Sequence, residues 1–228
     1  MENKDGDFKS EGDGLAGLSA DVIEVLLDEA EDEGIFAQVL ELNRGNQEIL
    51  KLLCGHPDTP PEVRAAAAKA ASLPEKPPPP QKRPADQDEK QERISLKVQR
   101  LKTGEKIRLS MMAGREARSL LIRDANKQVV LGVIGNPKMT VSEVEMAARM
   151  RSLPEEGLRE ISKNKEWMKN YGIVHNLVTN SKTPAGVAVG LLPRLRQKDL
   201  EFIQLNKEVS EAVRIAAKRL SSGRAKNR

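Results

Sequence analysis

Hydrophobic positions recur at helical spacing along most of this chain. Val22, Ile23, Leu26, Leu27 and Ala30 fall three and four residues apart, with Asp21, Glu24, Asp28 and Glu31 on the other side. That pattern predicts a short acidic amphipathic helix, and Ser19 stands where an N-cap is preferred. Residues 35–43 and 46–54 read as two more short helices, broken by Gly34, Gly45 and Gly55. His56-Pro57-Asp58-Thr59-Pro60-Pro61-Glu62 then opens another. Thr59 and Glu62 have capping-box spacing, and Pro60 sits where a first helical residue tolerates proline. Beyond Ile94 the pattern predicts helices over 103–112, ended by Gly114, then 115–124, 165–179, 184–195 opened by Pro184, and 207–220.

Within that run one pattern is written twice. Asn136-Pro137-Lys138-Met139-Thr140 returns 44 residues later as Asn180-Ser181-Lys182-Thr183-Pro184. Asn164-Lys165-Glu166-Trp167 returns 42 residues later as Asn206-Lys207-Glu208-Val209, and Asn126-Lys127-Gln128-Val129 supplies an earlier, partial unit. Thr140 and Glu143 form another capping pair. A period in the low forties with helical patterning predicts stacked helix pairs, a short α-solenoid. The fold class is all-α. Trp167 and Tyr171, four apart, share a face of the 165–179 helix and are expected to pack between repeats.

Charge changes the picture by splitting the chain. Residues 1–35 hold two basic and twelve acidic groups, net −10; residues 36–93 balance; residues 94–228 hold 27 basic and 13 acidic groups, net +14. The expected organisation is a disordered acidic tail (1–18), a small acidic helical region with one divergent repeat (19–72), a linker rich in proline and charge (73–93), a basic helical-repeat domain (94–220) and a basic disordered tail (221–228). Opposite charge at the two ends predicts an intramolecular contact between residues 1–35 and the basic domain. Aromatic content of 2% leaves the core to Leu, Ile, Val, Ala and Met, and an apolar share of 38% leaves part of the chain outside any core.

The Thr-Pro turn openings, and the helices Pro61-Glu62-Val63-Arg64-Ala65-Ala66-Ala67 and Glu211-Ala212-Val213-Arg214-Ile215-Ala216-Ala217, resemble HEAT-type and leucine-rich-repeat-variant units of bacterial helical-repeat proteins. The resemblance covers 94–220 well and 46–72 weakly. It implies a scaffold whose partner is unspecified, and an arginine that braces the neighbouring repeat, here Arg64 and Arg214.

Candidate chemistry is sparse. The chain has no phosphate-binding Gly-Lys-Ser/Thr loop, no His-Glu-x-x-His, no nucleophile elbow and no Cys-x-x-Cys. Cys54 is single, which rules out an internal disulfide and suits a buried structural thiol. His56 reads as a turn histidine, and His175 has no acid one turn away. No catalytic, metal or cofactor residue is assigned, so the expectation is a non-enzymatic scaffold or adaptor. No apolar run approaches twenty residues and the first residues lack signal-peptide character, which points to the bacterial cytoplasm without a membrane partner. The candidate interaction surface is basic: Arg149 and Arg151 in one copy, Arg194, Arg196 and Lys198 in the other, expected to form a stripe on one edge. Lys97, Arg100, Lys102, Lys106 and Arg108 add a second cluster. An acidic protein surface is the expected partner. The alternative is a nucleic-acid backbone, although the aromatic residues that favour single strands are few.

Overall fold

The computed structural model describes residues 14–74 and 87–226. Those residues form fourteen α-helices and two 3-10 turns, with no strand, so the chain is all-α as its periodicity predicts. It divides into two compact units, Met1–Leu120 and Leu121–Arg228. The division falls at the end of a helix, far from the proline-rich stretch expected to separate domains.

The first unit holds α1 (Ala20–Asp28), α2 (Gly34–Leu42), α3 (Gln47–Gly55), α4 (Pro61–Ala70), α5 (Gln87–Arg100), α6 (Thr103–Met112) and α7 (Arg115–Leu121). Helix α1 is its centre. It packs on α2, α3, α5 and α6, and Val22, Ile23, Val25, Leu26 and Leu27 are all buried. Five apolar residues in one nine-residue helix cover more than one face, so neighbours close over it on several sides. Phe36, Ile49, Leu50, Leu53, Ile94, Val98 and Leu109 complete this core.

Three expectations change here. Of the stretch expected as a disordered tail, residues 1–13 lie outside the described residues, but 14–17 form a turn that buries Leu15 and Leu18. Gly17 adopts φ +73°, a conformation cheap only for glycine. Of the expected linker, residues 75–86 lie outside the described residues, whereas α5 begins at Gln87. Pro84 is the last proline of that stretch, and Ile94, Val98 and Leu101, at i, i+4 and i+7, have a core to enter. Finally, Thr59 does not cap. A residue preceding proline is driven to extended backbone, so Pro60 sits at ψ 143° and α4 starts only at Pro61. The turn is held instead by Arg64, whose buried Nη2 donates to the carbonyls of His56 (2.9 Å), Pro57 (3.3 Å) and Thr59 (3.0 Å). Arg64 thus braces the turn opening its own helix, not a neighbouring repeat. Arg214 leaves a buried Nε without an acceptor among the described residues.

The second unit holds α8 (Lys127–Ile134), α9 (Val141–Arg149), α10 (Glu155–Lys163), α11 (Tyr171–Thr179), α12 (Ala185–Leu191), α13 (Gln197–Ile203) and α14 (Glu211–Lys226). Helix α8 packs on α10, α9 on α11, α11 on α12, and both α12 and α13 on α14. The recurring asparagines share one local task. The side-chain oxygens of Asn126, Asn136, Asn164, Asn180 and Asn206 each accept the backbone N–H two residues on, an Asx-turn that reverses the chain before the next helix. Thr140 and Glu143 form the expected capping box.

Each copy of the doubled pattern encloses three α-helices, not a pair: α9–α11, then α12–α14. The helix expected over 165–179 breaks, because Asn164 opens a 3-10 turn at Trp167–Lys169 and Asn170 caps α11 with its side chain on the Ile173 N–H. Trp167 and Tyr171 therefore lie on different elements, both half-buried. The helix expected over 184–195 gives way to a 3-10 turn, Leu192–Arg194, where Pro193 lacks the N–H an α-helix needs. The last helix starts at Glu211 and continues to Lys226, through a tail expected to be disordered; Ser221 is buried, and only 227–228 lie outside the described residues.

Candidate interaction surface

Arg196 opens α13, and hydrogen bonds to α11 and α14 hold the backbone around it. The Tyr171 hydroxyl, at the start of α11, accepts the Arg196 backbone N–H at 3.1 Å and donates to the Asp199 carboxylate. Burial, and then the bond to Asp199, hold that hydroxyl above the ordinary tyrosine pKa, so it stays protonated and donates. The Arg196 guanidinium lies over the Tyr171 ring, 4.7 Å from its centroid, a cation–π contact. From the other side Arg224 on α14 donates to the carbonyls of Pro193 (2.5 Å) and Leu195 (2.7 Å), and Gln197 Nε2 donates to Ser221 Oγ at 2.8 Å. The 192–197 turn is therefore clamped by α11 and α14. Arg194 and Arg196 stand exposed on it and Lys198 just beyond it, in the first turn of α13, and none makes an ion pair among the described residues. A pre-oriented guanidinium beside two more cations suits a planar anion such as a carboxylate.

The other half of the expected stripe lies elsewhere. Asn176 on α11 donates to the Glu145 carbonyl, and Asn180 to the carbonyls of Ala148 and Met150. Residue numbers rise together on both helices, so α9 and α11 run parallel. Arg149 and Arg151 sit beside the C-terminal end of α11, whereas Arg194–Lys198 sit at its N-terminal end. Nine residues of helix separate them, about 13 Å. The physical reason is parity. Helices α10, α11 and α12 lie between the two basic turns, and three reversals leave the chain on the opposite edge. Arg149 is exposed, and Arg151 is paired with Glu208 at 2.5 Å.

In the first unit Arg100 and Lys102 are exposed and Lys106 is half-buried. Arg108 donates to the Gly17 carbonyl at 3.1 Å, holding the 14–18 turn. Lys97 pairs with Glu24 at 3.0 Å and with Asp28. Glu29 accepts the backbone N–H groups of Gly114 (2.9 Å) and Ala117 (2.8 Å) at the start of α7. A Cβ on Gly114 would fall 2.8 Å from the Glu29 carboxyl carbon, so only glycine admits that approach. The acidic and basic ends of the chain thus meet here, between residues 17–29 and 97–117, as packed core and not as a detachable arm.

Two histidine partners escaped the sequence because they come from distant helices. His56 is buried, its Nε2 3.3 Å from Asp28 Oδ1 and its Nδ1 accepting the Asp58 N–H. With Glu24, Lys51, Arg93 and Lys97, the pair lines a cleft of about 460 Å³. His175 lies 3.9 Å from Asp199 Oδ1. Burial pushes Asp28 up, but the His56 hydrogen bond and Lys97 outweigh it, and the carboxyl ends below its ordinary pKa. Cys54 is half-buried with its Sγ 4.0 Å from the Arg64 carbonyl, and desolvation raises its thiol pKa. Among the described residues no three His, Cys, Asp or Glu side chains converge as a metal-ligand set, and no helix is long and apolar enough to cross a membrane.

No protein-family model, curated protein or solved structure matches this chain. The reading of its function therefore rests on its own surface.

Proposed function

We propose that this protein is a non-enzymatic, cytoplasmic scaffold built on HEAT-like helical repeats, and that it binds an acidic surface of a partner protein through the 192–198 turn. A three-helix unit is one of the forms that a period in the low forties takes. The observation that carries the reading is the clamped turn itself: Tyr171, Arg224 and Gln197 fix the backbone and leave Arg194, Arg196 and Lys198 exposed and unpaired among the described residues. Exposed cations on a mobile chain lose entropy on binding, whereas a rigid presentation removes much of that cost.

The test is fluorescence anisotropy of labelled polyglutamate and of a mixed-sequence DNA duplex with the full chain, compared with the triple variant Arg194→Ala, Arg196→Ala, Lys198→Ala. Polyglutamate binding should weaken at least fivefold in the variant. Duplex binding that exceeds polyglutamate binding and falls steeply with salt would instead favour the nucleic-acid backbone. A triple variant that binds like the parent overturns the assignment of this turn.

A further inference from the structure

Helix α13 turns two different faces to its surroundings. Leu200 and Ile203 are fully buried on the side that meets α14. On the outer side Lys198, Phe202 and Leu205 fall at i, i+4 and i+7, the helical geometry being continued past Ile203 by the Leu205 N–H bond to the Phe202 carbonyl. Phe202 is 62% exposed and Leu205 78%, the two most exposed large apolar side chains among the described residues. A lone exposed leucine needs no explanation, but two neighbours on one face make a patch that association would cover. Lys198, one of the unpaired cations, stands at the start of this same face, and Arg194 and Arg196 precede it in the adjoining turn. Nearby acids are engaged: Asp199 by Tyr171, Glu201 by Gln197, and Glu208 by Arg151.

We propose that the outer face of α13 docks an acidic amphipathic helix of a partner protein. Two apolar residues one turn apart on that helix cover Phe202 and Leu205, and its carboxylates meet Arg196, Arg194 and Lys198. This rests on the acidic-partner reading above and specifies the partner's form. The charge selects an acidic occupant, and the one-turn spacing of the apolar pair matches anchors three or four apart on a helix. An extended peptide gains most of its hold by adding to a sheet edge, and the described residues include no strand. A single strand of nucleic acid would use Phe202 for stacking but has no use for Leu205, which offers no aromatic face.

The experiment uses the full chain and four labelled probes. These are an eighteen-residue helix-forming peptide of glutamates with leucines at three- and four-residue spacing, a permuted peptide of the same composition, polyglutamate and oligo(dT). The amphipathic peptide should bind at least tenfold tighter than the permuted one. The double variant Phe202→Ser, Leu205→Ser should erase that advantage while leaving polyglutamate binding and the melting temperature unchanged. If the double variant proves unstable, Leu205→Gln alone, at the more exposed position, should remove most of the difference. Equal affinity for both leucine peptides, or no response to these variants, overturns the helix inference. Polyglutamate binding that still depends on Arg196 would then leave the broader reading standing. Binding of oligo(dT) but of no acidic peptide, or of none of the probes, overturns both.

Discussion

At the scale of single residues, one electrostatic arrangement links Asp28 to His56 and Lys97. The folded-state pKa of Asp28 lies below its ordinary value. Its contribution to stability is therefore present above the unfolded pKa and lost as pH falls through the folded one. Asp28→Asn should lower stability near neutral pH by about 1–3 kcal/mol, because a buried hydrogen-bonded charge is removed from its partners. It should also flatten the acid limb of stability against pH, as urea midpoints across that range will show. Glu29 runs the opposite way. Desolvation raises its pKa despite the N–H groups of Ala117 and Gly114, so its contribution fades as pH rises through the folded value. Neither environment is legible locally, since the partners of Asp28 lie 28 and 69 residues away.

At the scale of elements, caps and breaks decide where helices begin. Thr140–Glu143 and Thr59–Glu62 have the same spacing, yet only the first forms a capping box, because Pro61 forbids Pro60 a helical backbone. Asn170 carries the start of α11, and with it the position of Tyr171 beneath Arg196. Asn170→Ala should cost about 0.5–2 kcal/mol, read as a lowered thermal midpoint by circular dichroism. It should also weaken polyglutamate binding through displacement of Tyr171. A variant that melts lower and binds unchanged would show that the turn is held by Arg224 and Gln197 alone.

At the scale of the whole molecule, the boundary between compact units lies at Leu120, not in the proline-rich stretch. A fragment beginning at residue 94 keeps α6 and part of α5 but loses α1, leaving Ile94, Val98 and Leu109 without the core that buries them. A fragment of residues 121–228 keeps the α9–α11 and α12–α14 packing intact. It should be helical and melt cooperatively, whereas 94–228 should bind a hydrophobic dye and show a broader transition. Dye binding by the shorter fragment and not by the longer one would reverse this assignment of cores.

What the sequence determined by itself is the helical class, the recurring asparagine turns and the exposure of most of the basic residues, because apolar period, Asx-turns and surface charge are set within a few residues. Only the tertiary structure decided that α1 is a core helix, that Asp28 and Asp199 face histidines, and that two matching arginine turns lie at opposite ends of α11. Those depend on how many times the chain reverses between two points and on which buried face meets which. One helix more or fewer sends the same residues to the other edge, and the three between these two turns are α10, α11 and α12.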